Sequence, residues 1–256
     1  MQPLLRVKTL TKAYGNICAC DAISFDLYPG QVLGIIGESG SGKSTLLKGI
    51  AGQLPLDSGE ITYRDRTGQL VELRSLSEAR RRKQMKSEWG FVQQNPRDGL
   101  RMTVTAGANI GERLLDVGNR HYGNIRAEAT EWLNQVEIPR ERIDHLPNTF
   151  SGGMQQRLQL ARILVTRPQI ILMDEPTGGL DVSVQARLLD LMRSLVRTLH
   201  LSVLLVTHDI GVVRLLAHHL MVMQNGQVVE SGLTDQVLDD PQHPYTQQLV
   251  SATLVP

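Results

Sequence analysis

Residues 37–45 read Gly37-Glu38-Ser39-Gly40-Ser41-Gly42-Lys43-Ser44-Thr45, which is a complete Gly-x-x-x-x-Gly-Lys-Ser phosphate-binding loop. An apolar run at 32–36 precedes the loop, and residues 46–51 after it are suited to a helix. A glycine-rich turn between a strand and a helix lets several backbone N–H groups point at one anion, beside the positive end of the helix dipole. Lys43 then reaches the terminal phosphates, and the Ser44 hydroxyl is placed to bind Mg²⁺. The loop therefore predicts binding of a nucleoside triphosphate.

The composition indicates a globular protein without a strong overall charge. The 256 residues are 41% hydrophobic, which is enough for one large α/β domain. The 27 basic and 26 acidic residues give a net charge of +1, so no overall field attracts nucleic acid or a membrane. Cys18 and Cys20 are too few for a disulfide framework or a metal site, and we interpret them as ordinary thiols. Because no apolar run approaches the ~20 residues of a spanning helix and the first residues do not form a signal peptide, we expect a cytoplasmic protein.

Short apolar runs and amphipathic segments alternate along the chain, which is typical of an α/β fold with a mostly parallel sheet. The runs at 170–173 and 203–206 are fully apolar, as expected of buried parallel strands. Apolar residues spaced by three and four positions predict helices at 125–136 and 188–199. The remaining predicted elements are strands within 4–26 and at 59–63, a charged helix at 76–88 and an inserted helical block around 96–165.

Three polar residues follow the two fully apolar runs. Asp174 and Glu175 end the first run, and His208 follows the second. The carboxyl ends of parallel strands meet at one edge of a sheet, where a phosphate loop also lies. There Asp174 is suited to hold Mg²⁺, Glu175 to activate a water as the base, and His208 to hold the γ-phosphate and that water. A histidine at a strand end is usually an ordinary surface residue, but the shared edge favours the functional interpretation.

A second glycine-containing segment, Phe150-Ser151-Gly152-Gly153-Met154-Gln155-Gln156-Arg157, begins a predicted helix. Ser151 is suited to cap this helix, and the two glycines leave backbone N–H groups open to an anion. The apolar face of the helix is formed by Met154, Leu158, Ala161 and Leu164. Alone, the segment would be interpreted as a capped helix start.

Taken together, these segments resemble those of ATP-binding cassette (ABC) ATPases, and the resemblance covers nearly the whole chain. It implies ATP hydrolysis by a head-to-tail homodimer, with ATP and Mg²⁺ as ligands. In this family the phosphate loop of one subunit and the serine–glycine helix start of the other form each composite site. The resemblance therefore implies that residues 37–45 bind ATP within the subunit. The residues implied to bind ATP in trans are Ser151, Gly152, Gly153, Met154 and Gln155.

Other positions match functional residues of the family. Tyr14 matches the aromatic residue that stacks on adenine, with ordinary strand packing as the alternative. Gln94 matches the glutamine that contacts Mg²⁺, and we prefer it to Gln93 because a proline follows it two residues later. Asp181 matches the loop that couples the two composite sites. The implied Mg²⁺ ligands are Ser44, Gln94 and Asp174.

The chain departs from the family pattern at three places. Phe150 stands where leucine is common, Met154 where glutamine is usual, and Gly178-Gly179 where Ser-Ala is more frequent. None of these changes removes a phosphate-facing group, so ATP hydrolysis is still expected.

The resemblance also implies a fold and a domain organisation. The fold is an α/β P-loop NTPase of ABC type, with a mostly parallel core sheet, an N-terminal antiparallel β subdomain and an inserted helical subdomain. A single ABC ATPase domain spans 1–256. Within it, 1–95 and 166–256 form the nucleotide-binding core, and 96–165 form the helical subdomain.

Two groups within the family compete. Asp181-Val182-Ser183-Val184-Gln185-Ala186 and His243-Pro244-Tyr245-Thr246 are common in ATPase subunits of peptide and nickel importers. The chain resembles more closely the ABC-type subunit of the bacterial carbon–phosphorus lyase complex, which breaks down phosphonates. That resemblance is carried by residues 97–101, 118–126, 150–156 and 177–181. DNA-repair and chromosome ATPases are excluded because the chain lacks their long heptad insertions.

The closer resemblance implies a partner. We expect the homodimer to dock on the carbon–phosphorus lyase core through the radical-enzyme subunit of that core. The chain lacks a Cys-x₃-Cys-x₂-Cys cluster of its own, so it would supply only nucleotide-driven motion. A basic run just upstream of Gln94 is suited to such docking, although a solvated helix face explains it nearly as well. This run comprises Arg80, Arg81, Arg82, Lys83 and Lys86.

Overall fold

The computed structural model describes residues 2–253, so Met1 and residues 254–256 of the predicted domain lie outside the described residues. The strands are β1 Leu5–Tyr14, β2 Ile17–Leu27, β3 Val32–Ile36, β4 Ser58–Arg64, β5 Leu70–Glu72, β6 Trp89–Val92, β7 Ile170–Asp174, β8 Ser202–Val206, β9 His219–Gln224 and β10 Gln227–Leu233. The helices are α1 Lys43–Ile50, α2 Glu78–Glu88, α3 Pro96–Gly99, α4 Ala106–Asp116, α5 Tyr122–Gln135, α6 Gly152–Leu164, α7 Val182–Leu199, α8 Ile210–Leu216, α9 Thr234–Asp239 and α10 Pro244–Thr253. Two short 3₁₀ helices, Arg140–Asp144 and Pro147–Thr149, connect α5 to α6.

The described residues form two compact units, one of residues 2–81 and 196–253 and the other of residues 82–195. The first unit contains an antiparallel sheet in the order β2-β1-β4-β5 and core strands in the order β10-β9-β3-β8. β3 pairs in parallel with both β8 and β9, whereas β9 and β10 are antiparallel. All five residues of β3 are buried, because a strand between two others with both faces covered has no solvent-facing side.

The second unit combines the parallel strands β6 and β7 with a group of helices. Residues 96–165, all of which are described, contain helices and connecting turns only. Buried apolar side chains on facing helices form the core of this region. They include Ile110, Leu114, Leu133, Leu158 and Leu164.

The α/β fold predicted from the sequence is confirmed, with its antiparallel N-terminal sheet, mostly parallel core strands and helical insertion. Two helices begin earlier than their apolar patterns indicate. α5 begins at Tyr122, where His121 Nδ1 accepts a hydrogen bond from the Asn124 N–H. α7 begins at Val182, six residues before the buried pattern. This earlier start was not predicted because the first turn of the helix is exposed and so carries no periodic apolar signal.

In residues 2–253, no helix combines the length and the apolar character that crossing a bilayer requires.

Candidate nucleotide-binding site

The phosphate loop leaves β3 and enters α1 through a backbone path that requires glycine. Gly37, Gly40 and Gly42 have φ angles of 152°, 84° and 103°, a region that residues with a Cβ atom rarely adopt. A Cβ atom at Gly37 would lie 2.2 Å from the Met223 carbonyl oxygen, and one at Gly42 would lie 1.9 Å from that of Ala19. The loop is therefore packed directly against the backbone of β9 and β2.

Lys43 is buried within this loop, with only 7% of its surface exposed. Its Nζ atom donates to the Gly37 carbonyl at 2.7 Å, the Glu38 carbonyl at 2.8 Å and Ser41 Oγ at 3.2 Å. These oxygens hold the ammonium group at the centre of the turn. Ser44 and Thr45 lie in the first turn of α1, where backbone N–H groups have no helical acceptor.

His208 lies in the same unit, just beyond the end of β8. Ile35 of β3 is opposite Val206 of β8, and the Thr207 N–H donates to the Ile35 carbonyl at 3.2 Å. The parallel pairing therefore brings His208 to the edge at which the phosphate loop begins. His208 is exposed, and both of its neighbours in the chain are held by hydrogen bonds. The Asp209 N–H donates to Thr207 Oγ1, and the Asp209 side chain caps α8.

Tyr14 ends β1 with its side chain 51% exposed, so packing within the sheet does not account for it. The Lys12 ammonium lies 5.2 Å from the centre of the Tyr14 ring. Lys12 is held in turn by an ion pair with Asp57 at 3.0 Å. Hydrogen bonds from the Ala13 N–H and from Lys12 lower the pKa of the Asp57 carboxyl. The local network thus orders an aromatic ring that stays accessible.

In the second unit, Asp174 ends β7 and is 4% exposed. Glu175 follows with a φ angle of 46°, in the left-handed region. A non-glycine residue there costs about 1–3 kcal/mol, and such strain is concentrated at functional sites. The turn is closed by a hydrogen bond from the Gly178 N–H to the Glu175 carbonyl at 3.0 Å. Asp174 therefore has a strand conformation and Glu175 a left-handed one, which is compatible with separate roles for their carboxylates.

The two glutamines after β6, Gln93 and Gln94, have different surroundings. The backbone of Gln93 is held by the Gln159 side chain, which accepts from the Gln93 N–H at 2.7 Å and donates to the Gln93 carbonyl at 3.3 Å. Gln94 is exposed, and its Cγ atom would be 3.7 Å from a Cβ atom at Gly178. Gln94 therefore lies beside the Glu175 turn, which supports the preference for Gln94 over Gln93.

Sequence reasoning missed the buried glutamines of α6. Gln155, Gln156 and Gln159 are 5%, 2% and 0% exposed. The signal was present in the sequence, since these residues occupy helical positions next to Leu158, but burial of polar side chains requires partners that only packing reveals.

The start of α6 shows which of the residues implied to act in trans are exposed. Ser151 Oγ accepts a hydrogen bond from the Met154 N–H at 3.3 Å, which confirms the predicted cap. Ser151 and Gly152 are exposed. Gln155 is directed inward instead, and its amide donates to the Pro147 and Phe150 carbonyls at 3.0 and 3.1 Å. Its side chain therefore supports the preceding turn.

Asp181 lies next to this helix start. Its carbonyl accepts from the Val184 and Gln185 N–H groups and so begins α7. Val184 Cγ1 would be 2.4 Å from a Cβ atom at Gly153, so the two helix starts are in close contact. Gly179 has a φ angle of 73°, a conformation that favours glycine. This explains why glycine is suited to a position where the family more often has alanine.

The two cysteines and the grouping of acidic side chains bear on whether the described residues could hold a metal. Cys18 is exposed and Cys20 is buried, and burial, followed by the neighbouring Cys18, raises the pKa of the Cys20 thiol to about 12. Both are free thiols in the structure. Among residues 2–253, no three His, Cys, Asp or Glu side chains are grouped as metal ligands. The predicted Mg²⁺ ligands use a hydroxyl, an amide and a single carboxylate.

Comparison with known proteins identifies the family. Residues 20–178 match the family described as ABC transporter. The matched range contains the phosphate loop, the capped start of α6 and the Asp174–Glu175 pair, and it covers more than half of the chain. The chain belongs to the ABC transporter ATPase family.

Relatives of this ABC ATPase include a protein named for phosphonate utilization and a protein named for dipeptide transport. The chain is 63% identical over 253 residues to the putative phosphonates utilization ATP-binding protein PhnK of Escherichia coli, covering 99% of this chain and 98% of that protein. It is 36% identical over 258 residues to the dipeptide transport ATP-binding protein DppD of Bacillus subtilis, covering 98% of this chain and 77% of that protein.

Solved structures of ABC ATPases confirm the fold. A dimeric structure of the ATP-binding cassette MJ0796 with ADP and Pi superposes with a TM-score of 0.79 at 30% identity, covering 90% of this chain and 98% of that one. CbiO1 of Clostridium perfringens, part of the ABC transporter complex CbiONQ, also gives a TM-score of 0.79, at 25% identity over 99% of this chain and 96% of its own. The predicted ABC ATPase fold and ATPase activity are those of the family.

Proposed function

We propose that this ABC ATPase supports phosphonate breakdown by docking, as a homodimer, on a carbon–phosphorus lyase core complex in the cytoplasm. The observation that carries the proposal is the 63% identity to PhnK over nearly the whole of both chains. An ATPase subunit of a peptide or nickel importer is the alternative. The 36% identity to DppD and the His243-Pro244-Tyr245-Thr246 motif support it.

Within one subunit, the N–H groups of residues 37–45 and the Lys43 ammonium bind the phosphates of ATP, and Tyr14 stacks on the adenine. Ser44, Gln94 and Asp174 would provide oxygen ligands for Mg²⁺, a set that suits a hard cation that keeps several waters. A cation held there would supply positive charge to the phosphate oxygens. Glu175 accepts the proton of the attacking water, and His208 holds that water and the γ-phosphate.

The second copy completes each site with residues 151–155, and Asp181 couples the two sites. The exposure of Ser151 and Gly152 supports contact in trans through the start of α6. Val182, beside Asp181, is 84% exposed, as expected of an apolar side chain that a second copy covers. We further propose that the protein is one ABC domain over 1–256, with core regions 1–95 and 166–256 and a helical subdomain at 96–165.

Two neighbouring features of the second unit support a docking surface. The α2 residues of this unit, 82–88, include Arg82, Lys83 and Lys86 of the basic run, and none of them is buried. Lys86 of α2 forms an ion pair at 3.1 Å with Asp116, at the end of α4. Beside that end lies an apolar groove of about 600 Å³ between α4, α5 and the 3₁₀ helix Arg140–Asp144. Its lining includes Val104, Ala108, Leu115, Tyr122 and Ile125.

The docking proposal is tested by retention on an affinity-tagged carbon–phosphorus lyase core in the presence of ATP. The wild-type protein should be retained. Arg82→Glu/Lys83→Glu and Leu115→Asp should each lose retention while ATP binding is unchanged.

Arg197→Glu, an exposed charge reversal on α7, is the matched control and should still be retained. Absence of wild-type retention would overturn the proposed partner. Full retention of both docking variants would overturn the proposed surface. Retention by a pair of importer permeases instead would favour the alternative.

A further inference from the structure

The motif His243-Pro244-Tyr245-Thr246 has no role in the site described so far, yet its turn is firmly anchored. The Glu230 carboxylate on β10 accepts hydrogen bonds from the Gln242 N–H at 2.9 Å and the His243 N–H at 3.0 Å. Partial burial raises the pKa of Glu230, but hydrogen bonds to its carboxylate outweigh this effect and hold the pKa below its usual range. His243 Nδ1 in turn accepts from the Tyr245 N–H at 3.2 Å. The start of α10 is thereby tied to β10.

This anchored turn directs Tyr245 at the phosphate loop. Tyr245 is 6% exposed, so its ring is buried. Its hydroxyl oxygen accepts a hydrogen bond from the Glu38 N–H at 2.8 Å. The C-terminal part of the chain therefore contacts the second residue of the loop across 207 positions of sequence.

The same peptide group is also held from its other end. The carbonyl of the Gly37–Glu38 peptide accepts from the Lys43 ammonium at 2.7 Å, while its N–H donates to Tyr245. Hydrogen bonds at the two ends of one amide polarise each other and define the orientation of its plane. Gly37, with a φ angle of 152°, has the freedom to rotate that plane if one bond is lost.

We propose that Tyr245 is a positioning residue for ATP binding, which orients the Gly37–Glu38 peptide and, through its carbonyl, the Lys43 ammonium. Glu230 acts one step further away by anchoring the turn that carries Tyr245. The inference concerns the ATP site within one subunit and does not rest on the docking proposal.

The test is the Tyr245→Phe variant, which removes one oxygen atom and keeps the buried ring. The KM for ATP should rise about 3- to 10-fold, the effect of losing one hydrogen bond, whereas kcat should be unchanged. A merely structural role would lower the amount of active protein, and so kcat, without changing KM. Tyr28→Phe removes the hydroxyl of a half-buried tyrosine between β2 and β3 and is the matched control, with both constants as in the wild type. An unchanged KM in Tyr245→Phe would overturn the proposal.

Glu230→Gln tests the anchor, because the two N–H groups donate to different carboxylate oxygens, Oε1 and Oε2, and a glutamine keeps only one acceptor oxygen. This variant should also raise the KM, and the double variant Glu230→Gln/Tyr245→Phe should not exceed Tyr245→Phe alone. Multiplying effects would overturn the role given to Glu230. If Tyr245→Phe does not fold, hydrogen exchange of the wild-type Glu38 amide decides instead. Slow exchange supports the bond, and exchange at the rate of an open amide contradicts it.

Discussion

Among single residues, Glu175 links backbone conformation to chemistry most directly. The sequence predicted it as the base from its place after an apolar strand, next to Asp174. The structure adds a left-handed φ angle of 46°, which turns the chain sharply after β7. Consecutive side chains within a strand point to opposite faces. Glu175 lies just after the strand, so the turn, and not this alternation, sets the direction of its carboxylate relative to that of Asp174.

The role of Glu175 leads to a first prediction. Glu175→Gln should lower ATP turnover by about 100- to 10,000-fold, the usual contribution of a positioned general base. ATP should still bind, because the variant keeps the phosphate loop and the size of the side chain. Phosphate release and equilibrium nucleotide binding measure the two effects. Glu141→Gln, at an exposed position, should behave as the wild type, and normal turnover in Glu175→Gln would show that another group is the base.

Among the elements, α6 combines a predictable feature with contacts that the sequence could not show. Its Ser151 cap could be predicted because capping depends on residues three positions apart. Its buried Gln159, which holds the Gln93 backbone 66 positions away, could not. The same limit applies to Gly153, whose missing side chain is explained only by its contact with Val184 of α7.

The Gly153 contact predicts a stability defect. In Gly153→Ala the new methyl group would meet Val184 Cγ1, which a β-branched side chain cannot easily withdraw, and overpacking of this kind costs about 1–3 kcal/mol. Urea unfolding measures the loss. Gly152→Ala is the control, since its Cβ atom would meet Leu180 at an ordinary 3.4 Å. Adding Val184→Ala to Gly153→Ala should restore much of the stability, and absence of any rescue would contradict the proposed clash.

For the whole molecule, the proposed homodimer would use the exposed start of α6 and the exposed Val182. A related cassette, MJ0796, has been solved as a dimer with ADP and Pi. In this chain Ser151, Gly152 and Val182 are exposed in the same unit, where Gly153 contacts Val184. In the proposed homodimer, ATP bound at the phosphate loop of one copy would be covered by this surface of the other.

The corresponding prediction concerns oligomeric state. Glu175→Gln should be dimeric with ATP and monomeric without it, because ATP that is not hydrolysed keeps the two copies together. Introducing Val182→Glu should reduce the dimer, since it places a charge in the contact. Light scattering after size exclusion measures the mass. Val117→Glu, at another exposed apolar position, should leave the dimer unchanged, and a persistent dimer with Val182→Glu would contradict this interface.

Patterns of neighbouring residues were sufficient for the fold class, the phosphate loop, the strands β3, β7 and β8 and the family, because each depends on spacing within a few turns of chain. Helix starts were predicted less well where the first turn is exposed, as in α7. The hydrogen bonds between Gln159 and the Gln93 backbone, the close contact of Gly153 with Val184 and the bond from Glu38 to Tyr245 depend on the packed chain. They join residues from 31 to 207 positions apart, whose distance is determined by how helices and strands pack and not by any local pattern.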